Sequence, residues 1–216
     1  MAKNNPRIVT FKECAEARQR AHKLLKDVRH NSLIHDHYKF DCCLIGSGKR
    51  RCITKDINGK YDLDYQIVLT RGSNDDPTNI KNAFFTAFTN CKKDNEKVEN
   101  STTVVTVRCS KSEGKFDPSL EQFSFDFVII NSAGDKRIKR NGQNKYTWVN
   151  LPSKHNHTYK KFNSLSAQEQ QDIIHNKVIP KVLVEKTKPE NQRRASVEIF
   201  YMEVNNYQKE KKNDKI

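Results

Sequence analysis

The stretch YDLDYQIVL, residues 61–69, carries two acids at the head of an apolar run. Side chains alternate across a strand, so Asp62 and Asp64 leave one face while Leu63 and Tyr65 pack on the other. The strand is predicted over 63–70, with the acid pair at its start. Two neighbouring carboxylates repel each other unless a cation stands between them. Oxygen donors of this kind suit magnesium, which keeps part of its shell for water and substrate phosphates. Taken alone, the pair fits a solvated strand edge equally well.

Upstream lies LIGSGKRR, residues 44–51. It has the glycines and cations of a phosphate loop, yet it is not a P-loop. That motif needs a glycine five places before its Gly-Lys and a hydroxyl residue after it. Cys43 and Arg50 hold those places. What remains is a mostly buried strand, KFDCCLIGS, that ends in Gly46-Ser47 and runs into a basic loop. Downstream, QFSFDFVII (122–130) alternates Phe123, Phe125 and Phe127 with Ser124 and Asp126. Asp126 is the only charge from Phe123 to Ile130, and a lone carboxylate in a buried strand is costly unless it is paired or ligates a metal. With the two strands as neighbours, Asp126 completes a three-carboxylate cluster.

The surrounding elements read as α+β. Thr10-Phe11-Lys12-Glu13 is a capping box, opening a helix to about Arg29 along Cys14, Ala17, Ala21, Leu24, Leu25 and Val28. Asn58-Gly59 marks a turn. A second helix covers 75–93, with Ile80, Phe84, Ala87, Phe88 and Cys91 on one face. STTVVTVRC (101–109) is β-branched and reads as a strand. Asn141-Gly142 sits between two strand-like arms over 136–149, a hairpin signal. Ser166-Ala167-Gln168-Glu169 is another capping box, and Pro180 is expected to kink or end the helix it opens. A last helix is predicted from about Gln192, with a frayed, solvated tail from Gln208. The expected architecture is a small mixed β-sheet with flanking helices over 1–150, followed by a short helical C-terminal part over 151–216.

Lys and Arg number 40 against 26 Asp and Glu, a formal charge of +14. Such a surplus favours anionic partners: nucleotides, RNA or DNA. No apolar run approaches the roughly twenty residues that span a bilayer. The N-terminal segment lacks the apolar core of a secretory signal. The six cysteines form no CxxC pair, which reads as reduced core thiols in a cytoplasmic protein. His35-Asp36-His37 and His155-Asn156-His157 lack companion ligands at metal spacing, so they read as surface or core histidines.

The order is therefore Ile45-Gly46-Ser47, Asp62-Leu63-Asp64, then Asp126 on a later strand. It resembles the nucleotidyltransferase superfamily with the polymerase-β-type palm, over about residues 11–130. Within it, the helix before the Gly-Ser strand, the hairpin with Trp148 and the terminal helices look most like the oligoadenylate-synthase and bacterial cyclic-dinucleotide-synthase (CD-NTase) branch, and hence like antiviral-defence enzymes. The spacer from Ser47 to Asp62 is long for the pattern, and the C-terminal helical part is short. The resemblance implies transfer of a nucleoside monophosphate from an NTP such as ATP to a hydroxyl acceptor. Two Mg2+ ions, replaceable by Mn2+, would sit on Asp62, Asp64 and Asp126. Gly46 and Ser47 would meet the triphosphate, and Lys49 and Arg50 would add contacts to it. RNA or DNA enters as activator or acceptor. Other acceptors are a tRNA end, a protein hydroxyl or a small molecule. A basic nucleic-acid-binding module with an inactive palm is the reading from another class.

Overall fold

The computed structural model describes residues 5–151 and 153–213. In chain order its elements are β1 (Arg7–Ile8), α1 (Ala15–His30), α2 (Ser32–His35), β2 (Lys39–Leu44), α3 (Gly46–Lys49), β3 (Thr54–Lys55), β4 (Tyr61–Arg71), α4 (Pro77–Cys91), β5 (Glu96–Asn100), β6 (Val104–Ser110), β7 (Glu121–Ile130), β8 (Lys136–Arg140), β9 (Tyr146–Asn150), α5 (Ser153–Asn163), α6 (Ala167–Asp172), α7 (Ile179–Lys186) and α8 (Ser196–Asn213). They form two compact units. One is Thr10–Gly48 with Lys60–Leu151; the other gathers the described residues of Met1–Val9, Lys49–Gly59 and Pro152–Ile216.

The first unit is built on a seven-stranded mixed sheet, order β2-β4-β7-β6-β5, with the β8–β9 hairpin joined to β7. β4 and β7 run parallel in the middle, and the other pairs are antiparallel. The expected α+β class is what the structure shows. Alternation decides the faces. Leu63, Tyr65, Ile67 and Leu69 of β4 and Phe123, Phe125, Phe127 and Ile129 of β7 are all buried. Against this face lies α4, whose Phe88 stacks on Phe127 with ring centroids 4.5 Å apart. Asp76 caps α4 by accepting from the Thr78 amide at 2.6 Å, and Pro77 opens its first turn, where a missing N–H costs nothing. α1 buries Ala17, Ala21, Leu24, Leu25 and Val28, the spacing read from the sequence.

Several expectations needed correction. β2 is an edge strand and only Phe40 of it is buried; Cys43 is exposed, so not every thiol is a core thiol. None of the six cysteines forms a disulfide. β5 was not foreseen, because its sequence EKVEN is mostly charged. Its Glu96 is buried nonetheless, held by Arg20 of α1 through contacts of 2.6 and 2.7 Å. The capping-box bonds between Thr10 and Glu13 do form, one turn ahead of α1.

The second unit packs Cys52 of the 49–59 segment among Phe162, Leu165, Ile173, Ile174, Val178, Ile199 and Phe200. β1 and β3 pair as a short antiparallel ribbon, with Ile8 packed against this core and Thr54 buried. The capping box at Ser166 and Glu169 is complete, with both reciprocal bonds present. Pro180 does not end the helix. A π-helical stretch, Ile173–Val178, precedes it and carries the backbone from α6 into α7. Its wider turn accommodates the proline ring and the N–H the proline lacks. α8 continues in helical form to Asn213, so the tail expected to fray from Gln208 is ordered that far; 214–216 lie outside the described residues. So do the side chains of His155 and Asn156 from the second histidine motif.

Candidate functional site

On the face of the sheet opposite the Leu and Phe side chains, register lines up the acids. Asp64 stands directly across from Asp126 on the neighbouring parallel strand, and Asp62 stands across from Ser124. The third acid is therefore on the same side as the other two, in the adjacent strand. β6 continues both rows, with Thr106 beside Asp126 and Arg108 beside Ser124.

Gly46 closes the corner. The Ile45 amide donates to the Asp64 carbonyl at 2.9 Å, which ties the end of β2 to β4. Gly46 has φ +59, the left-handed region that favours glycine. A Cβ there would meet the Asp64 Oδ2 atom at 2.6 Å. Both the backbone angle and the space thus demand glycine, and the consequence is a main chain that runs against the Asp64 carboxylate. Ser47 follows in the single turn of α3 and is half-buried.

Each of the flanking acids has a hydroxyl partner. Ser124 Oγ donates to Asp62 Oδ1 at 2.5 Å, and Thr106 Oγ1 donates to Asp126 Oδ1 at 2.6 Å. Burial pushes the Asp126 carboxyl above its ordinary value; the Thr106 hydrogen bond works against the shift, the charge of Asp62 adds to it, and Arg108 and Lys81 oppose it. The nearest guanidinium along the face is engaged elsewhere: Arg108 donates to Glu99 and to Glu121, both at 2.9 Å. Glu121 in turn accepts from Lys60 at 2.9 Å. Sequence reading missed Thr106, Ser124 and Arg108. The period-2 pattern of β6 and β7 was the available signal, since it sets all three on the face of Asp126.

Carboxylate oxygens are the donors a hard divalent cation prefers, and the three acids share one face beside a glycine corner whose main chain lies against Asp64. They fit such an ion in kind. They do not form a closed ligand set: among the described residues no three His, Cys, Asp or Glu side chains are gathered closely enough to hold a metal. The three-carboxylate cluster expected from the sequence is thus a shared face. Hydroxyls take one oxygen of Asp62 and one of Asp126.

The remaining predicted residues fall outside this face. Lys49 ends α3 and is exposed. Arg50 belongs to the helical unit, where it donates to the Tyr159 hydroxyl at 3.0 Å and lies over the Phe200 ring at 4.4 Å. A guanidinium on an aromatic face gains cation–π attraction without a carboxylate partner. Tyr159, Phe162 and Tyr201, the candidates for stacking on a base, pack in or against the helical core.

No protein-family model and no curated protein sequence matches the chain. Solved structures do. The chain is similar to the CD-NTase CdnG of Bradyrhizobium diazoefficiens in complex with GTP, with TM-score 0.51 and 14% identity over 72% of this chain and 43% of that one. It is similar to Vibrio cholerae DncV in its GTP-bound form, with TM-score 0.52 and 12% identity over 88% of this chain and 51% of that one. Another structure of that di-nucleotide cyclase, in a complex that includes GTP, gives TM-score 0.54 and 12% identity over 90% and 55%. The chain spans about half the length of the first structures it matches. What the chain shares with them is the fold of these CD-NTase structures, the branch that the order of Gly46-Ser47, Asp62-Leu63-Asp64 and Asp126 resembles.

Proposed function

We propose that the chain is a metal-dependent nucleotidyltransferase that moves a nucleoside monophosphate from an NTP to a hydroxyl acceptor and releases pyrophosphate. One observation carries the reading: Asp64 and Asp126 are register partners on adjacent parallel strands, and Gly46 is packed on Asp64. Asp62, Asp64 and Asp126 would hold two Mg2+ ions, or Mn2+ in their place. The chemistry supplied by such bound cations is charge neutralisation at the triphosphate and acidification of the acceptor hydroxyl. Gly46 brings the main chain close to the phosphates, and Ser47 offers them a hydroxyl. The acceptor's proton, acidified by the bound cations, would leave to water, and Asp126, with Oδ1 accepting from Thr106, would serve as a ligand. The rest of the rate comes from holding acceptor and phosphorus in line.

A nucleotide acceptor would give a linear or cyclic oligonucleotide, the product class closest to that of the di-nucleotide cyclase whose fold the chain shares. A tRNA end, a protein hydroxyl or a small molecule are the alternative acceptors. The test is a turnover screen of the four NTPs with Mg2+, with and without RNA or DNA, read by product mass. Asp62→Asn and Asp64→Asn are expected to lower pyrophosphate release at least about 100-fold with an unchanged circular-dichroism spectrum. Full turnover by both variants would falsify the assignment. A second reading, a nucleic-acid-binding module with an inactive palm, is favoured by the charge of the helical unit, where 19 Lys and Arg stand against 9 Asp and Glu. Salt-sensitive RNA binding with no turnover of any NTP would select it.

A further inference from the structure

Asp62 and Asp126 are handled differently from other acids of the same sheet. Glu96, Glu99 and Glu121 each contact a guanidinium. Among the described residues Asp62 and Asp126 contact none, and each instead accepts one hydroxyl proton from the neighbouring strand. We propose that Thr106 and Ser124 are positioning residues: each pins Oδ1 of its acid and leaves Oδ2 to a divalent cation.

Three observations support this, given the nucleotidyl-transfer reading on which it rests. First, both hydroxyls are buried, Ser124 at 3% exposure and Thr106 at 5%, so water does not compete for their protons. Second, the placement repeats. Ser124 lies across from Asp62 and Thr106 across from Asp126, so two different strands supply the same arrangement. A chance partner for one buried hydroxyl needs no such repetition. Third, the guanidinium on the same face is engaged by other acids. Arg108 projects from the same face one register row away, yet Glu99 and Glu121 occupy its guanidinium. An arginine on either acid would neutralise it and compete with a cation. A hydroxyl orients the carboxylate and leaves its charge in place.

The experiment measures Mn2+ binding by electron paramagnetic resonance on the full chain without nucleotide, beside the Mg2+ dependence of NTP turnover. Thr106→Val keeps shape and removes the hydroxyl; Thr106→Ser keeps the hydroxyl; Ser124→Ala tests the second pair and carries the measurement should Thr106→Val fail to fold. Thr106→Val and Ser124→Ala are expected to weaken Mn2+ binding about 10–100-fold. They should raise the Mg2+ concentration for half-maximal turnover by a similar factor, with a smaller change in kcat at saturating metal. Thr106→Ser is expected to restore binding to within a few-fold of wild type, which a mere packing role for Thr106 would not produce. A wild-type chain that binds Mn2+ and consumes NTP, with Thr106→Val and Ser124→Ala matching it, would overturn the hydroxyl roles alone. A wild-type chain that neither binds Mn2+ nor consumes NTP would overturn the transfer reading and this inference with it.

Discussion

The two units of this chain carry charge in opposite ways. The helical unit sets 19 Lys and Arg against 9 Asp and Glu, a net +10, whereas the larger sheet unit sets 21 against 17, a net +4. In the sheet unit, cations and anions are mostly matched side by side: Arg20 with Glu96, Arg108 with Glu99 and Glu121, Lys60 with Glu121. Asp62 and Asp126 stand outside that matching. The overall +14, the most conspicuous property of the composition, therefore says little about the acid face.

The contrast can be broken most severely where the sheet unit matches charges in its interior. Arg20→Ala leaves the Glu96 carboxylate buried without its bidentate partner. Removing one member of such a pair costs about 3–5 kcal/mol, and urea unfolding should show a loss of that size. In the native chain burial pushes the Glu96 carboxyl up, but the Arg20 contacts outweigh it and hold the carboxyl below its ordinary 4.5. A depressed carboxyl contributes stability above the unfolded value and loses it as pH falls through the folded one. The gap between wild type and Arg20→Ala should therefore narrow below pH 4.5. A gap independent of pH would show that the pair contributes packing alone.

Lys81 sharpens the comparison from the other side, as a cation with no acid of its own. Its side chain is fully buried on α4, and among the described residues its Nζ has no hydrogen-bond partner. Burial, aided by the charge of Arg140, lowers its pKa to about 7 from 10.5. The unfolded chain then binds more protons between those values, so the folded state is penalised fully below pH 7 and not at all above 10.5. Lys81→Met is expected to raise stability by on the order of 3 kcal/mol at pH 6. The gain should fade toward pH 10 in thermal melts at a series of pH values. A gain that is flat across this range would place the ammonium in contact with water.

The smallest effect probes the unit difference itself. Lys160→Glu with Lys209→Glu alters two exposed side chains of the helical unit, and Lys23→Glu with Lys26→Glu does the same on α1. If the helical surplus serves a polyanion, the first pair should reduce the salt slope of single-stranded RNA binding by about 1–2 and the second pair by less. Fluorescence anisotropy at two salt concentrations separates them. Equal losses would mean that net charge matters and its location does not.

How much of this was written in the sequence depends on the element. β4 and β7 were legible because Leu63, Tyr65, Phe123, Phe125 and Phe127 alternate cleanly with polar residues. The face shared by Asp62, Asp64 and Asp126 followed from the same alternation, once the strands were taken as neighbours. β5 was illegible because Glu96 is buried by a partner 76 residues away, and no local pattern encodes that. Lys81 was hidden for the same reason, as a charge inside an apolar helix face. The segment 49–59 has no periodicity, so its membership in the helical unit, and with it the place of Arg50 against Tyr159 and Phe200, depended on contacts with residues past 150. The hydroxyl partners required knowing the register between strands, which alternation within one strand does not supply.

The parallel pairing of β4 with β7 has a consequence for biosynthesis. Ser124 and Asp62, which meet across it, are 62 residues apart in the chain. Closing so long a loop is entropically slow and comes after local helices and hairpins have formed. On the ribosome, a nascent chain that has exposed β4 presents two acids and no third. On the proposed cation-binding reading, divalent-ion affinity would be acquired only after β7 has emerged and docked, so cation binding by stalled nascent chains of increasing length would report, residue by residue, when the sheet closes.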